Sequence, residues 1–363
     1  MTQHFLKTAA SRDFTVNDVA FMSEDDAFWH FVKIRWGDRD HAVCPHCGVI
    51  DRHYFRQKRK QWRCKHCDGY FSVTTKSPFE DHKLGFKRIL LGLTEYISSA
   101  NGISLHALSR KMKVQQKTAQ AFVGKIRESI WGSRPQIKFE GTVQIDGGHF
   151  GGRPRHGRIR TKSNAMITAH VEEQLLKKKK RKGRSSANWR RFQKRRVVMV
   201  LRELHPDPKM GATKTIVAIS MSENETDAIQ LARAYIKPGS LVMTDENPAY
   251  NQLSCWYDHR TVRHAVEFST VDGINDNQAE SYFSRLRRYV KGVSHRVEPK
   301  YLADIAIEMA WREDMRRKTE GQKLDFFLKA AFSHGLSKWW RGYWQGFKRD
   351  GELLWSATSA SVV

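Results

Sequence analysis

Three acids, Asp146, Asp245 and Glu280, stand in settings that suit metal-dependent phosphoryl chemistry. Asp146 ends an apolar, strand-like run, Thr142-Val143-Gln144-Ile145, and Asp245 ends another, Ser240-Leu241-Val242-Met243-Thr244. Glu280 lies early in a basic helical stretch, with 34 residues between it and Asp245. Hard divalent ions take oxygen ligands, and strand ends and helix starts can hold carboxylates in place. Two such ions can clamp the attacking and leaving oxygens of a phosphodiester. Each acid also has a local explanation. Asp146 precedes Gly147-Gly148 and could open a turn. Asn247 could cap a helix beside Asp245, with Pro248 at its first position. Glu280 follows Asn277 by three residues, the spacing of a capping box. Singly these explanations suffice. Together, two acids at consecutive strand ends and one on the following helix could converge on a single metal site. Glu280 and Arg287 are seven residues apart, two helical turns, so they share a face. That face could set Arg287 on a phosphate, with Arg285, Arg288 and Lys291 close by.

A second constellation is Cys44-Pro45-His46-Cys47 with Cys64-Lys65-His66-Cys67, a C-x2-C-x16-C-x2-C pattern. This spacing suits four thiolates on one structural Zn2+, which closes a ribbon too small to fold alone. His46 and His66 sit inside the knuckles as loop residues that could stand in for a cysteine. Residues 52–56 and 61–63 read as short strands between the pairs. The ribbon could bind DNA through Arg56, Lys58, Arg59, Lys60 and Arg63, or dock on a neighbour. Cys255 stands alone, which suits a reducing compartment.

The elements around these groups fall into successive regions. Residues 1–40 carry short helical patterns, with Asn17 or Ser23 as candidate caps, and 41–75 form the cysteine module. Residues 80–132 alternate at helical period, and 140–315 alternate apolar strand-like runs with helices, as a mixed α/β domain does. Inside that domain, the tract Lys177–Arg196 holds twelve Lys or Arg and no acid, which suggests a basic insertion looping over DNA phosphates or into solvent. Residues 316–363 form an aromatic-rich, helical extension with Trp339, Trp340, Tyr343, Trp344 and Phe347, read as core or subunit interface.

The 363-residue chain has a formal net charge of +26, which favours a polyanionic partner through counterion release. No run approaches the roughly 18 apolar residues of a membrane span. The start, Met1-Thr2-Gln3-His4-Phe5-Leu6-Lys7, lacks a signal-peptide core. These features point to a bacterial cytoplasm, with no membrane association. Within 80–132, Ile103 to Arg110 reads as a short helix with Ser104 as its cap, Lys111 to Val114 as a turn, and Gln115 to Arg127 as a second helix. A helix-turn-helix would place Gln115, Gln116 and Lys117 at base edges; an ordinary helical hairpin has the same pattern.

In order along the chain, the ribbon, the Ser104–Arg127 helical pair, the segments 145–152, 244–250, 262–264 and 275–287 make the sequence resemble transposases of the 1595 family of bacterial insertion sequences. These are DDE enzymes with an N-terminal zinc ribbon, and the resemblance spans about residues 25 to 315. It implies a ribonuclease-H-like α/β catalytic core, preceded by the ribbon and a small helix-turn-helix-like domain. Asp146, Asp245 and Glu280 match the acids that hold catalytic Mg2+ or Mn2+, and Arg287 falls where a basic residue is usual. Asn277 matches a polar position beside the third acid, so either side chain could complete the site. Gly147 departs from the Glu that commonly follows the first acid.

The activity so implied is cleavage at terminal inverted repeats, followed by attack of the freed 3'-hydroxyl on target DNA. The partners are double-stranded DNA, both element ends and target, and a second copy of the chain, since two ends must be paired. On DNA the protein would be associated with the nucleoid. Two other readings stay open: a non-catalytic, sequence-specific DNA-binding derivative, and a metal-dependent nuclease on the same fold. A zinc-ribbon assembly factor is a third, in which zinc matters and Mg2+ does not.

Overall fold

The computed structural model describes residues 5–134, 138–151, 195–262, 275–341, 349 and 351–355. Most of the basic tract, residues 263 and 264, and Tyr343, Trp344 and Phe347 lie outside them.

Two helices open the chain, α1 (Val16–Phe21) and α2 (Glu24–Trp36). Ser23 caps α2, its hydroxyl accepting from Asp26 N at 3.1 Å, while α1 is capped by Thr15 and holds Asn17 in its first turn. Strands β1 (Tyr54–Arg56), β2 (Gln61–Arg63) and β3 (Tyr70–Ser72) make an antiparallel sheet. So small a sheet buries little surface of its own, and α2 supplies the deficit. Trp62, fully buried, stacks with Phe28 and with Phe71 and meets Trp36 edge-on.

Helices α3 (Phe86–Ser98), α4 (Leu105–Met112) and α5 (Gln116–Gly132) follow. Ser104 caps α4 as the sequence suggests, its hydroxyl accepting from Ala107 N at 3.2 Å. Lys113 ends α4 in the left-handed region, φ 50°, and the chain turns there into α5.

The α/β core has a five-stranded mixed sheet in the order β6-β5-β4-β7-β8. Its strands are β4 (Thr142–Phe150), β5 (Arg196–Leu204), β6 (Ala212–Ser220), β7 (Leu241–Thr244) and β8 (Asp258–Thr261). The pairs β4–β5 and β5–β6 are antiparallel; β4–β7 and β7–β8 are parallel. Both faces are covered, which explains the near-continuous apolar run of β5. Val197, Met199 and Leu201 pack toward α6 (Glu225–Tyr235) and a 3-10 segment, Pro248–Cys255. Val198 and Val200 face the side of α7 (Asn277–Gly292) and α8 (Pro299–Asp314).

Helix α8 also packs on α5, and α9 (Glu320–His334) on α2, α3 and α5. Charge holds these joints. Glu308, fully buried on α8, pairs with Arg127 of α5 at 2.8 Å and with Arg312 at 2.9 Å. Arg312 also donates to Tyr96 O at 2.7 Å and Ser99 O at 2.6 Å, satisfying carbonyls that the end of α3 leaves open. In the C-terminal extension, Trp340 is buried against α5, where a β-carbon at Gly124 would lie 2.1 Å from its ring. No helix among the described residues is long and apolar enough to cross a membrane.

Candidate active site and zinc centre

Asp146 does not end its strand. Strand β4 runs on through Gly147 and Gly148 to Phe150, paired with β5 throughout, so no turn opens there. The glycines serve close approach instead. A β-carbon at Gly147 would lie 2.5 Å from Glu223 Cδ, and one at Gly148 2.4 Å from the Phe283 ring. Asp245 directly follows β7, whose parallel register with β4 aligns Val143 with Val242 and Gln144 with Met243. Continuing that register two residues sets Asp245 beside Asp146. Here two neighbouring parallel strands point the same way, and backbone amides fix the carboxylates: Gly147 N donates to Asp146 at 2.6 Å, and Asn247 N to Asp245 at 3.1 Å.

Glu280 occupies the first turn of α7 and is exposed. Asp276, not Asn277, precedes the helix, and Asn277 is its first residue, so the capping box does not form. The start of α7 is tied to β4 by Gln144, which is fully buried. Its amide nitrogen donates to Asn275 O at 2.7 Å, and its oxygen accepts from Gln278 N at 2.9 Å and Ala279 N at 3.2 Å. One side chain thus satisfies helix-start amides that would otherwise be open.

Two further acids join this centre. Glu223, just before α6, brings a carboxylate oxygen within 4.8 Å of oxygens from Asp146 and Asp245, forming a compact group of three. Asp276 is 1% exposed, and neither of its oxygens finds a hydrogen-bond donor. The electrostatics reflect the crowding. Burial, then Asp245 and Glu280, push Asp146 up to about 6. Burial, with Asp146 and Asp245, pushes Glu223 up to about 7. Asp276 rises to about 10 through burial and through Asp146, Asp245 and Glu280. Carboxylates forced this close favour a cation among them. This donor set of hard oxygens, with an orphaned buried acid beside it, fits a divalent ion of the Mg2+ or Mn2+ kind.

Glu223, Asp276 and Gln144 carry no mark in the sequence reading as site residues. Gln144 had a usable signal: with Asp146 it puts two polar groups at strand period into an otherwise apolar run. Glu223 sits in an irregular connection, Met221-Ser222-Glu223-Asn224, with no such signal.

The cysteines converge as their spacing predicts. Four thiolates at 2.3 Å from a tetrahedral ion stand about 3.8 Å apart. Cys44 and Cys67 Sγ are 3.7 Å apart, Cys47 and Cys64 Sγ 3.6 Å, and all four lie within 4.8 Å of one another. The set fits Zn2+. His46 and His66 turn elsewhere, to Tyr70 O at 3.2 Å and Asp51 at 3.1 Å.

Among the residues expected at DNA, Gln115, Gln116 and Lys117 are exposed at the start of α5. Arg287 and Arg288 are exposed on α7, with the Arg287 guanidinium 5.6 Å from the Phe283 ring. Arg285 instead pairs with the buried Glu313 at 2.7 Å.

Comparison with known families agrees with this geometry. The model of the ISXO2-like transposase domain matches residues 138–314, from the lead into β4 to the end of α8. The model of the transposase zinc-ribbon domain matches residues 22–69, which takes in α2 as well as the four cysteines. No curated protein matches the chain. Both matched domains are those of the 1595 group of insertion sequences, and the chain belongs to that transposase family.

Proposed function

We propose that the chain is an active DNA transposase, binding the terminal inverted repeats of an insertion sequence and catalysing metal-dependent strand cleavage and strand transfer. The observation that carries this reading is the position of Asp146 on β4 and of Asp245 just past the adjacent parallel strand β7, with backbone amides fixing both carboxylates. The strand order β6-β5-β4-β7-β8, three antiparallel strands followed by two parallel ones, supports a ribonuclease-H-like core. Asp146, Asp245 and Glu280 would hold Mg2+ or Mn2+. When bound, such ions supply charge stabilisation to the attacking and leaving oxygens of an in-line phosphodiester displacement.

The chain's own residues do the positioning. Arg287 and Arg288, exposed on the helix that carries Glu280, would hold backbone phosphates. Gln115, Gln116 and Lys117, exposed at the start of α5, would read base edges in the major groove. The net charge of +26 draws both the element end and the target to the protein. In this reading, residues 41–75 are the ribbon, 80–132 the repeat-reading helices and 140–315 the catalytic domain. Bringing two ends together requires at least a dimer.

The test uses the purified full chain, Mg2+ and labelled DNA bearing the flanking terminal repeats, with Asp245→Asn as the comparison. The expected result is cleavage and joining by the wild type, with repeat binding but no chemistry in the variant. Specific binding without cleavage by either protein would establish a DNA-binding derivative instead, and cleavage without joining a nuclease.

A further inference from the structure

Glu223 brings a carboxylate oxygen within 4.8 Å of oxygens from Asp146 and Asp245, and we propose that it is a direct ligand of the divalent ion those two hold. This inference rests on the reading of that cluster as a metal site. An octahedral ion with oxygens at 2.0–2.1 Å sets its ligand atoms about 3 to 4 Å apart. Oxygens from Asp146, Glu223 and Asp245 already lie within 4.8 Å of one another, so small side-chain rotations close them on one ion. Glu280, exposed on α7, is outside that group of three.

Several features hold the Glu223 carboxylate there. The hydroxyl of Tyr250, whose side chain is fully buried, donates to Glu223 Oε1 at 2.7 Å. The Asn247 side chain also hydrogen-bonds this carboxylate, and the two bonds together orient it toward Asp146 and Asp245. Outer partners of this kind orient ligands in metal sites. The missing side chain of Gly147 makes the room, since a β-carbon there would collide with the carboxylate. His149 Nε2 stands 3.7 Å from Glu223 Oε2. An independent sign that the cluster is built for a cation is Asp276. It lies against Asp146 with almost no exposure, and neither carboxylate oxygen has a hydrogen-bond donor.

The alternative is that Glu223 merely accepts the Tyr250 hydrogen bond. Glu223→Gln separates the two, because a Gln side-chain oxygen still accepts from Tyr250 while a metal-binding charge is lost. Mn2+ affinity of the zinc-loaded full chain would be measured by electron paramagnetic resonance of the free ion. The set is the wild type, Glu223→Gln, Glu280→Gln and Asp245→Asn. We expect Glu223→Gln to weaken Mn2+ binding about tenfold or more. Tyr250→Phe, which removes one oxygen and spares the carboxylate, should weaken it in the same direction. Wild-type affinity in both Glu223→Gln and Tyr250→Phe, with loss in Glu280→Gln, would overturn the inference and leave the Asp146–Asp245–Glu280 site standing. Equal Mn2+ binding by the wild type and Asp245→Asn would overturn the metal site itself, and this inference with it.

Discussion

The side-chain oxygen of Gln144 lies 2.9 Å from the backbone nitrogen of Gln278, so a residue of β4 caps a helix 134 positions away in sequence. Asp146 lies two residues further along that strand, and Glu280 two residues beyond Gln278 in that helix. Gln144→Ala would leave buried amides without acceptors, a loss of about 1–3 kcal/mol. We predict a lowered unfolding midpoint in denaturant. Strand cleavage should fall further than repeat binding, which a gel-shift assay run beside the cleavage assay would show.

Zinc removal should act locally. The ribbon's own sheet is three short strands, and a zinc ion would tie Cys44 and Cys47 to Cys64 and Cys67. A strong chelator, or Cys64→Ser, is expected to release Trp62 and Trp36 into water and red-shift their fluorescence. The α/β core should keep its own unfolding transition. Elemental analysis of the untreated protein should return one zinc per chain.

Glu308 is predicted to be among the costliest single positions to neutralise. Burial alone would raise its carboxyl, but Arg127 and Arg312 overcome that and hold it below the usual glutamate range. Glu308→Gln leaves two guanidiniums inside with no counter-charge, a loss of about 3–5 kcal/mol by urea unfolding. Because the folded-state value is depressed, the stability Glu308 contributes is present above the unfolded value near 4.5 and lost as pH falls below it. The wild type should therefore lose its advantage over Glu308→Gln on acidification.

Asp314 carries the opposite sign. Burial, although countered by hydrogen bonds from Thr215, pushes it up to about 7. Between its unfolded value near 3.8 and that folded value, the native state keeps a proton that the unfolded chain has lost. Its stabilising contribution is complete below the first value and declines as pH rises through the second. Thr215 donates to Asp314 from its amide at 3.0 Å and from its hydroxyl at 2.8 Å; in Asp314→Asn the side-chain oxygen can accept from the amide while its NH2 donates to the hydroxyl oxygen, with no titrating proton. Thermal melts from pH 4 to pH 8 should show the variant gaining on the wild type as pH rises. A constant difference would sink the assignment.

How much of this was legible beforehand differs from site to site. The zinc centre could be read almost whole, because its ligands come as two tight local pairs; the reliance of the ribbon on Phe28 and Trp36 of α2 could not. The strand before Asp146 was legible from its apolar run, but its end was misread. Gly147 and Gly148 look like a turn locally, and only Glu223 and Phe283, brought in by distant segments, show why the strand needs them. The Ser104 cap was visible in the sequence, and so was the pair of helices after it. The buried ion pairs were not, since nothing local marks Arg127 and Glu308 as partners across 181 positions.

The shared use of α8 bears on how such a protein can be inherited. One side of this helix lies on β6 and another on α5, and its Glu308 and Arg312 reach into the helices that precede the sheet. A recombination event that kept the ribbon and α3 to α5 but dropped the rest would strand Arg127 without its counter-charge and open the end of α3 to water. If the exposed start of α5 reads DNA, as proposed, new specificities are expected to arise by point changes there, while exchange of whole segments is penalised. The segments before the sheet and the α/β core are thus expected to be inherited together.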